Sequence, residues 1–257
     1  MTDLGVAGTS LLCDYTLGIG DDCLILSHRL SEWAARAPDF EEDVALANLA
    51  LDLLGQARSL LAYAGELERS GRSEDDLAYW RDDRQFRNLL LVEQPNGDFA
   101  LTITRHLLFS THQVLLYGAL AQSSDATIRG IAAKGVMEAR YHQEHAALWT
   151  LRLGDGTAES HARMERALLE LWPLTGEMFQ LSPGLSELVV AGVAVNPSNL
   201  QPPWESQIGA TLQTAALEIP AVPQRRCDGR FGIHSEHLGH LLAEMQHLHR
   251  SHPDAVW

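Results

Sequence analysis

The chain has 257 residues, 46% of them hydrophobic and 21% charged, enough to bury a sizeable core without disulfides or metals. Its formal net charge of -15 excludes a general nucleic-acid binder, which needs a basic footprint, and disfavours docking on an anionic membrane. Three cysteines in no Cys-x-x-Cys pair read as reduced thiols of a cytoplasmic protein, and the N-terminus has no basic segment of a signal peptide.

Residues 1–14 carry Gly and Thr without periodicity and read as a loose N-terminal segment. Over 16–37, Ile19, Cys23, Leu26, Leu30, Trp33 and Ala37 recur at spacings of three and four, one buried face of a first helix. Pro38 stops it, and Asp39 with Glu42 forms a capping box for the next. That second helix, about 40 to 69, has the seam Leu46, Ala50, Leu53, Ala57, Leu60, Ala64 and Leu67, a bundle-type spacing. RDDRQFRNLLL predicts a shorter helix within 74–94, closed by the turn Gln94-Pro95-Asn96-Gly97.

A third long helix runs from near Asp98 to about Gln122, with a polar face of Phe99, Ile103, His106, Ser110 and Tyr117. The fourth, about 125 to 153, has the seam Ile128, Ala132, Gly135, Ala139, His142, Ala146 and Trp149. Residues 158–180 are helical with Pro173 as a kink, 181–203 hold Pro183, Pro197, Pro202 and Pro203 as a crossing segment, and helices follow at 204–218 and 235–250. No strand alternation and no run of about 18 apolar residues occurs. No composition shift marks a boundary, so the chain reads as one all-α domain over 1–257: a four-helix bundle core with additional C-terminal helices.

Such bundles often house two metals on a Glu from each of two helices and a Glu-x-x-His from each of the others. Here the second helix offers Asp52-Leu53-Leu54-Gly55-Gln56 and the fourth Glu138-Ala139-Arg140-Tyr141-His142, with Leu53 and Ala139 three residues before the last. Leu and Ala cannot coordinate, and a Gln amide is a poor, neutral ligand.

The segments SHRLSEWAARAPDF, ALDLLGQARSLL, FRNLLLVEQPNGDFA, MEARYHQEH and HSEHLGHLLAEMQHL, spread from about residue 14 to Trp257, carry a family resemblance. Together they resemble the structural-subunit family of the bacterial phenylacetyl-CoA epoxidase, phenylacetate-degradation proteins of the ferritin-like superfamily. The resemblance implies a non-catalytic partner for a paralogous diiron catalytic subunit, with a small accessory protein. It also implies a reductase that carries NADPH, FAD and iron–sulfur groups, and no cofactor in this chain. It puts Glu32 at the first-helix carboxylate position, Leu53 and Gln56 at one Glu-x-x-His pair, Ser110 near the third-helix carboxylate, and Ala139 and His142 at the other pair. Catalytic and metal-binding residues are then absent, and these six positions are vestigial, with Asp52 and Glu138 as polar neighbours.

Other readings stand beside it: a divergent metal-dependent oxygenase using Glu32, Glu138 and His142, or a stand-alone acyl-CoA-binding protein. A homo-oligomer of the chain alone is a further assembly to test. His237, His240 and Glu244 could share a face of the His-rich last helix, and Asp82, Asp83 and Arg84 form a dense charged cluster; both read more simply as solvated faces.

Overall fold

The structure, a computed structural model, describes residues 5–182, 184–253 and 255. Among these residues it is all-helical and has no strand. The chain divides into two compact units that exchange at Pro95–Asn96 and Cys227–Asp228, and each is described by itself. Neither crossing carries a composition shift, which is why the sequence reads as a single domain.

The first unit holds α1 (Gly5–Ser31), α2 (Phe40–Glu68), α3 (Glu74–Tyr79), α4 (Leu90–Glu93) and α10 (Glu236–Ser251). Its frame is the α1–α2 pair. Contacts between Ser27 and Ala50, Cys23 and Gln56, Gly20 and Leu60, and Cys13 and Ala64 run in opposite order along the two helices, so the pair is antiparallel. The α2 seam from Leu46 to Ala64 is buried as its spacing predicts, and Leu67 is half-buried. Each buried Leu of that seam contributes roughly 1.5–3 kcal/mol.

Both ends of α1 differ from expectation. Residues 5–14 are helical rather than loose, because Leu12, Cys13 and Leu17 bury and the Cys13 thiol donates to the Ala64 carbonyl at 3.5 Å. Residues 1–4 lie outside the described ones. At the other end the helix stops at Ser31, not at residue 37. Ala35 turns to φ 61°, and its N–H donates to Asp43 at 2.6 Å. The Asp39 cap of α2 forms, accepting from the Glu42 N–H at 2.8 Å.

The helix expected within 74–94 is broken into α3, a 3₁₀ turn at 83–85 and α4. Two α1 carboxylates cause the break. Asp21 accepts from the Arg87 N–H at 2.8 Å and from Arg81; Asp22 accepts from the Leu89 N–H at 2.7 Å and from Arg230 at 2.6 Å. Backbone donors held by α1 cannot also serve a helix through 84–89.

The second unit holds α5 (Phe99–Leu120), α6 (Ala126–Gly154), α7 (Ala158–Leu171), α8 (Leu185–Val190) and α9 (Gln201–Thr214). Asp98 and Asp125 cap α5 and α6. Phe99 meets Trp149, His106 meets His142 and Tyr117 meets Gly135, so this pair is antiparallel too. A Cβ on Gly135 would sit 2.7 Å from the Tyr117 ring, so only glycine allows that approach. Residues 100–113 of α5 are all buried.

Past α7, Pro173 ends the α-helix and the chain continues as a 3₁₀ helix to Phe179, where a kinked helix to 180 was expected. The expected crossing segment contains α8; Pro183 lies outside the described residues. Helix α9 begins at Gln201 rather than 204, because Pro202 and Pro203 fit a first turn, whose N–H groups need no helical partner. Its Trp204 is buried against Trp172 and Phe179 and donates to the Leu108 carbonyl at 2.9 Å.

Candidate functional site

Helices α2 and α6 are both 29 residues long, and each expected ligand pair occupies the same two positions in its helix. Leu53 and Gln56 are the fourteenth and seventeenth residues of α2; Ala139 and His142 are the fourteenth and seventeenth of α6. All four are buried. Asp52 and Glu138, each about 100° round the helix, are half-buried. The side chains that turn fully inward at the carboxylate positions are therefore hydrocarbon.

In the first unit, Gln56 receives a weak 3.6 Å hydrogen bond from the buried Cys23 thiol. Glu32 is not brought to it. The antiparallel register puts Cys23 opposite Gln56, and Glu32 lies nine residues further on, about 13 Å along the axis. It sits just past the end of α1, half-buried, with its carboxylate 2.7 Å from Arg29. Arg29 in turn donates to the Glu93 carbonyl at 2.7 and 3.0 Å. The resemblance puts Glu32 at the first-helix carboxylate position; here α1 stops at Ser31 and Glu32 lies in the turn that follows.

In the second unit, Ser110 and His142 are both buried, and the residue that meets His142 is His106, with ring centroids 5.4 Å apart. His106 lies one turn before Ser110. Neither of its ring nitrogens, nor the Ser110 hydroxyl, has a hydrogen-bond partner among the described residues. Burial holds the His106 pKa well below the usual imidazole value, and nearby His142, His145 and Arg105 push the same way. Glu138 pairs with Lys134 at 3.4 Å. The polar α5 face was visible in the sequence, but His106 was not singled out; its spacing to Ser110, one turn, was the available signal.

These residues do not fit a dinuclear iron centre. Two irons need several carboxylates to bridge them and offset their charge. Leu53 and Ala139 offer no donor, Gln56 offers a neutral amide and Glu32 is remote from it. Among the described residues no group of three or more His, Cys, Asp or Glu side chains is placed to hold a metal.

Of the C-terminal histidines, His234 and His249 serve packing. His234 Nδ1 is 2.8 Å from a Glu93 carboxylate oxygen and Nε2 is 3.1 Å from the Phe86 carbonyl. His249 stacks on Tyr79 at 4.7 Å. His240 and Glu244 are exposed on α10, with His237 half-buried. Asp82, Asp83 and Arg84 are exposed, and Asp82 meets Arg250 at 3.3 Å. The residues the sequence did not reveal are the buried acids. Glu93 accepts from Asn88 at 2.8 Å and from the Ser235 N–H and hydroxyl, both at 2.7 Å, which fixes the start of α10 on α4.

An all-α chain with two long helices that repeat the ligand register of a ferritin-like protein defines a helical protein of that class. Residues 4–257 match the phenylacetic acid catabolic protein family, and the chain belongs to it. It is similar to the C subunit of the 1,2-phenylacetyl-CoA epoxidase of Escherichia coli (strain K12), with 47% identity over 246 residues, covering 96% of this chain and 99% of that protein.

Proposed function

We propose that this chain is the structural, non-catalytic subunit of a multicomponent phenylacetyl-CoA epoxidase of aerobic phenylacetate catabolism. In this role it pairs with the catalytic subunit of the complex and stabilises it. The observation that carries the reading is the full burial of Leu53 and Ala139 at the two carboxylate positions. Similarity to an epoxidase subunit over nearly the whole of both chains supports the assembly. Iron then belongs to the catalytic subunit, and NADPH, FAD and iron–sulfur chemistry to the reductase. A small accessory protein joins the complex, in the cytoplasm.

What this chain's residues do is hold a fold. Gln56 with Cys23, and His106 with His142, fill the inward positions without placing several carboxylates there. The rival reading, an oxygenase in its own right, needs Glu32, Glu138 and His142 around one metal. Glu32 and Glu138 instead meet Arg29 and Lys134, cations three and four residues before them.

The test is co-expression of the chain with the catalytic subunit, followed by co-purification and assay with the reductase. If the catalytic subunit is soluble and fully active by itself, the main support is gone. A Glu138→Ala variant leaves activity of the complex unchanged under this reading and abolishes it under the rival.

A further inference from the structure

Helix α2 is apolar on the side that faces away from α1. Less than half of its most apolar 18-residue stretch is buried. Phe40 is 78% exposed, Val44 45% and Leu51 64%. At 100° per residue these three lie within about 40° of one another. Ala47 is exposed on the same face, and a Cβ added to Gly55 there would meet nothing within 4 Å.

Charge says what covers this face. From Phe40 to Ala57 the helix carries Glu41, Glu42, Asp43 and Asp52 and no Lys or Arg; exposed Arg58, next along the same stripe, is 3.4 Å from Glu74. Exposed Glu41 and half-buried Asp43 flank the apolar stripe on opposite sides. A second copy would set like charges against these, on a chain of net charge -15. A complementary surface has an apolar centre and a basic rim.

We propose that the outer face of α2 from Phe40 to Gly55 is the docking surface for a helix of the catalytic partner, whose apolar stripe is flanked by Lys and Arg. This rests on the structural-subunit reading above and names the surface through which it acts. Exposed apolar stripes of this kind mark protein interfaces, and a few central anchors carry most of the affinity.

The experiment is a binding titration of the purified chain against the co-expressed catalytic subunit, with folding checked by circular dichroism. Leu51→Glu is expected to weaken association at least about tenfold. Val190→Glu, at a 90% exposed position in the other unit, is expected to leave it unchanged. Glu41→Arg, which leaves the apolar stripe intact, is expected to weaken binding, and raised salt to narrow the gap from wild type. Unchanged binding by folded Leu51→Glu, or tighter binding by Glu41→Arg, overturns the proposal while the structural role stands. A wild-type chain that shows no binding to the catalytic subunit overturns that role and this surface with it. Self-association of the isolated chain that Leu51→Glu abolishes makes a second copy the occupant and also overturns it.

Discussion

The unit built on α1 and α2 buries charge and pairs it; the unit built on α5 and α6 buries a histidine, His106, whose ring nitrogens have no hydrogen-bond partner among the described residues. Asp21, Asp22 and Glu93 each accept from several named donors, and those donors come from segments distant in sequence: Arg81 to Leu89, and Arg230 to Ser235. In the second unit His106 and the Ser110 hydroxyl have no hydrogen-bond partner among the described residues. The difference teaches which polar residues hold the fold. Buried ion pairs cost desolvation and return it only through complete hydrogen bonding, and that completeness marks the first set as structural. His106 and the Ser110 hydroxyl make no comparable bonds, so these two side chains are more replaceable.

The comparison breaks most visibly at Asp21. Asp21→Ala leaves the buried Arg81 guanidinium without its carboxylate and should cost about 3–5 kcal/mol. Urea unfolding of the purified chain measures this, and a loss under about 1 kcal/mol means the pair is dispensable. Next comes Glu93→Ala, which removes the acceptor of Asn88, His234 and Ser235. Amide exchange should rise in the first turns of α10 and stay unchanged in α6.

His106 sharpens the contrast through pH. Its pKa in the fold is depressed, so its contribution is present above pH about 6.5, the usual imidazole value, and is lost as pH falls from there toward its own lowered value. The unfolded chain binds a proton that the fold refuses, at up to about 1.4 kcal/mol per pH unit. His106→Leu should flatten that slope between about pH 6.5 and 5; His28, lowered by its own burial, keeps the remainder. An unchanged slope in urea midpoints across that range contradicts the assignment. The smallest effect belongs to Ser110→Ala, which removes a buried hydroxyl without a partner and should change stability by no more than about 0.5 kcal/mol, in either direction.

Much of the fold was legible because strong local signals agreed. Asp39 before a seven-residue seam set α2 almost to the residue, and the α6 seam from Ile128 to Ala146 is buried as spaced. What was illegible depends on partners far along the chain. RDDRQFR has the composition of a helix, and only Asp21 and Asp22 across the unit hold its backbone open. Glu32 was placed only by the resemblance, whereas where it lies in the fold follows from where α1 ends and from the register that puts Cys23 against Gln56. The buried carboxylate of Glu93 was hidden in an apolar run, and its partners His234 and Ser235 are brought to it only by the fold. The two inward pairs on α2 and α6 were the legible part of the candidate site, since a three-residue spacing on each helix seam needs no partner to see.

The structural-subunit role proposed above requires that this chain hold no iron centre of its own. The most direct measurement is elemental iron after anaerobic reconstitution with ferrous iron, on the purified chain and on the complex with the catalytic subunit. Near-zero iron in the chain, with iron in the complex matching the amount of catalytic subunit, is the result expected. About two irons bound per isolated chain, the content of a filled dinuclear site, would contradict it.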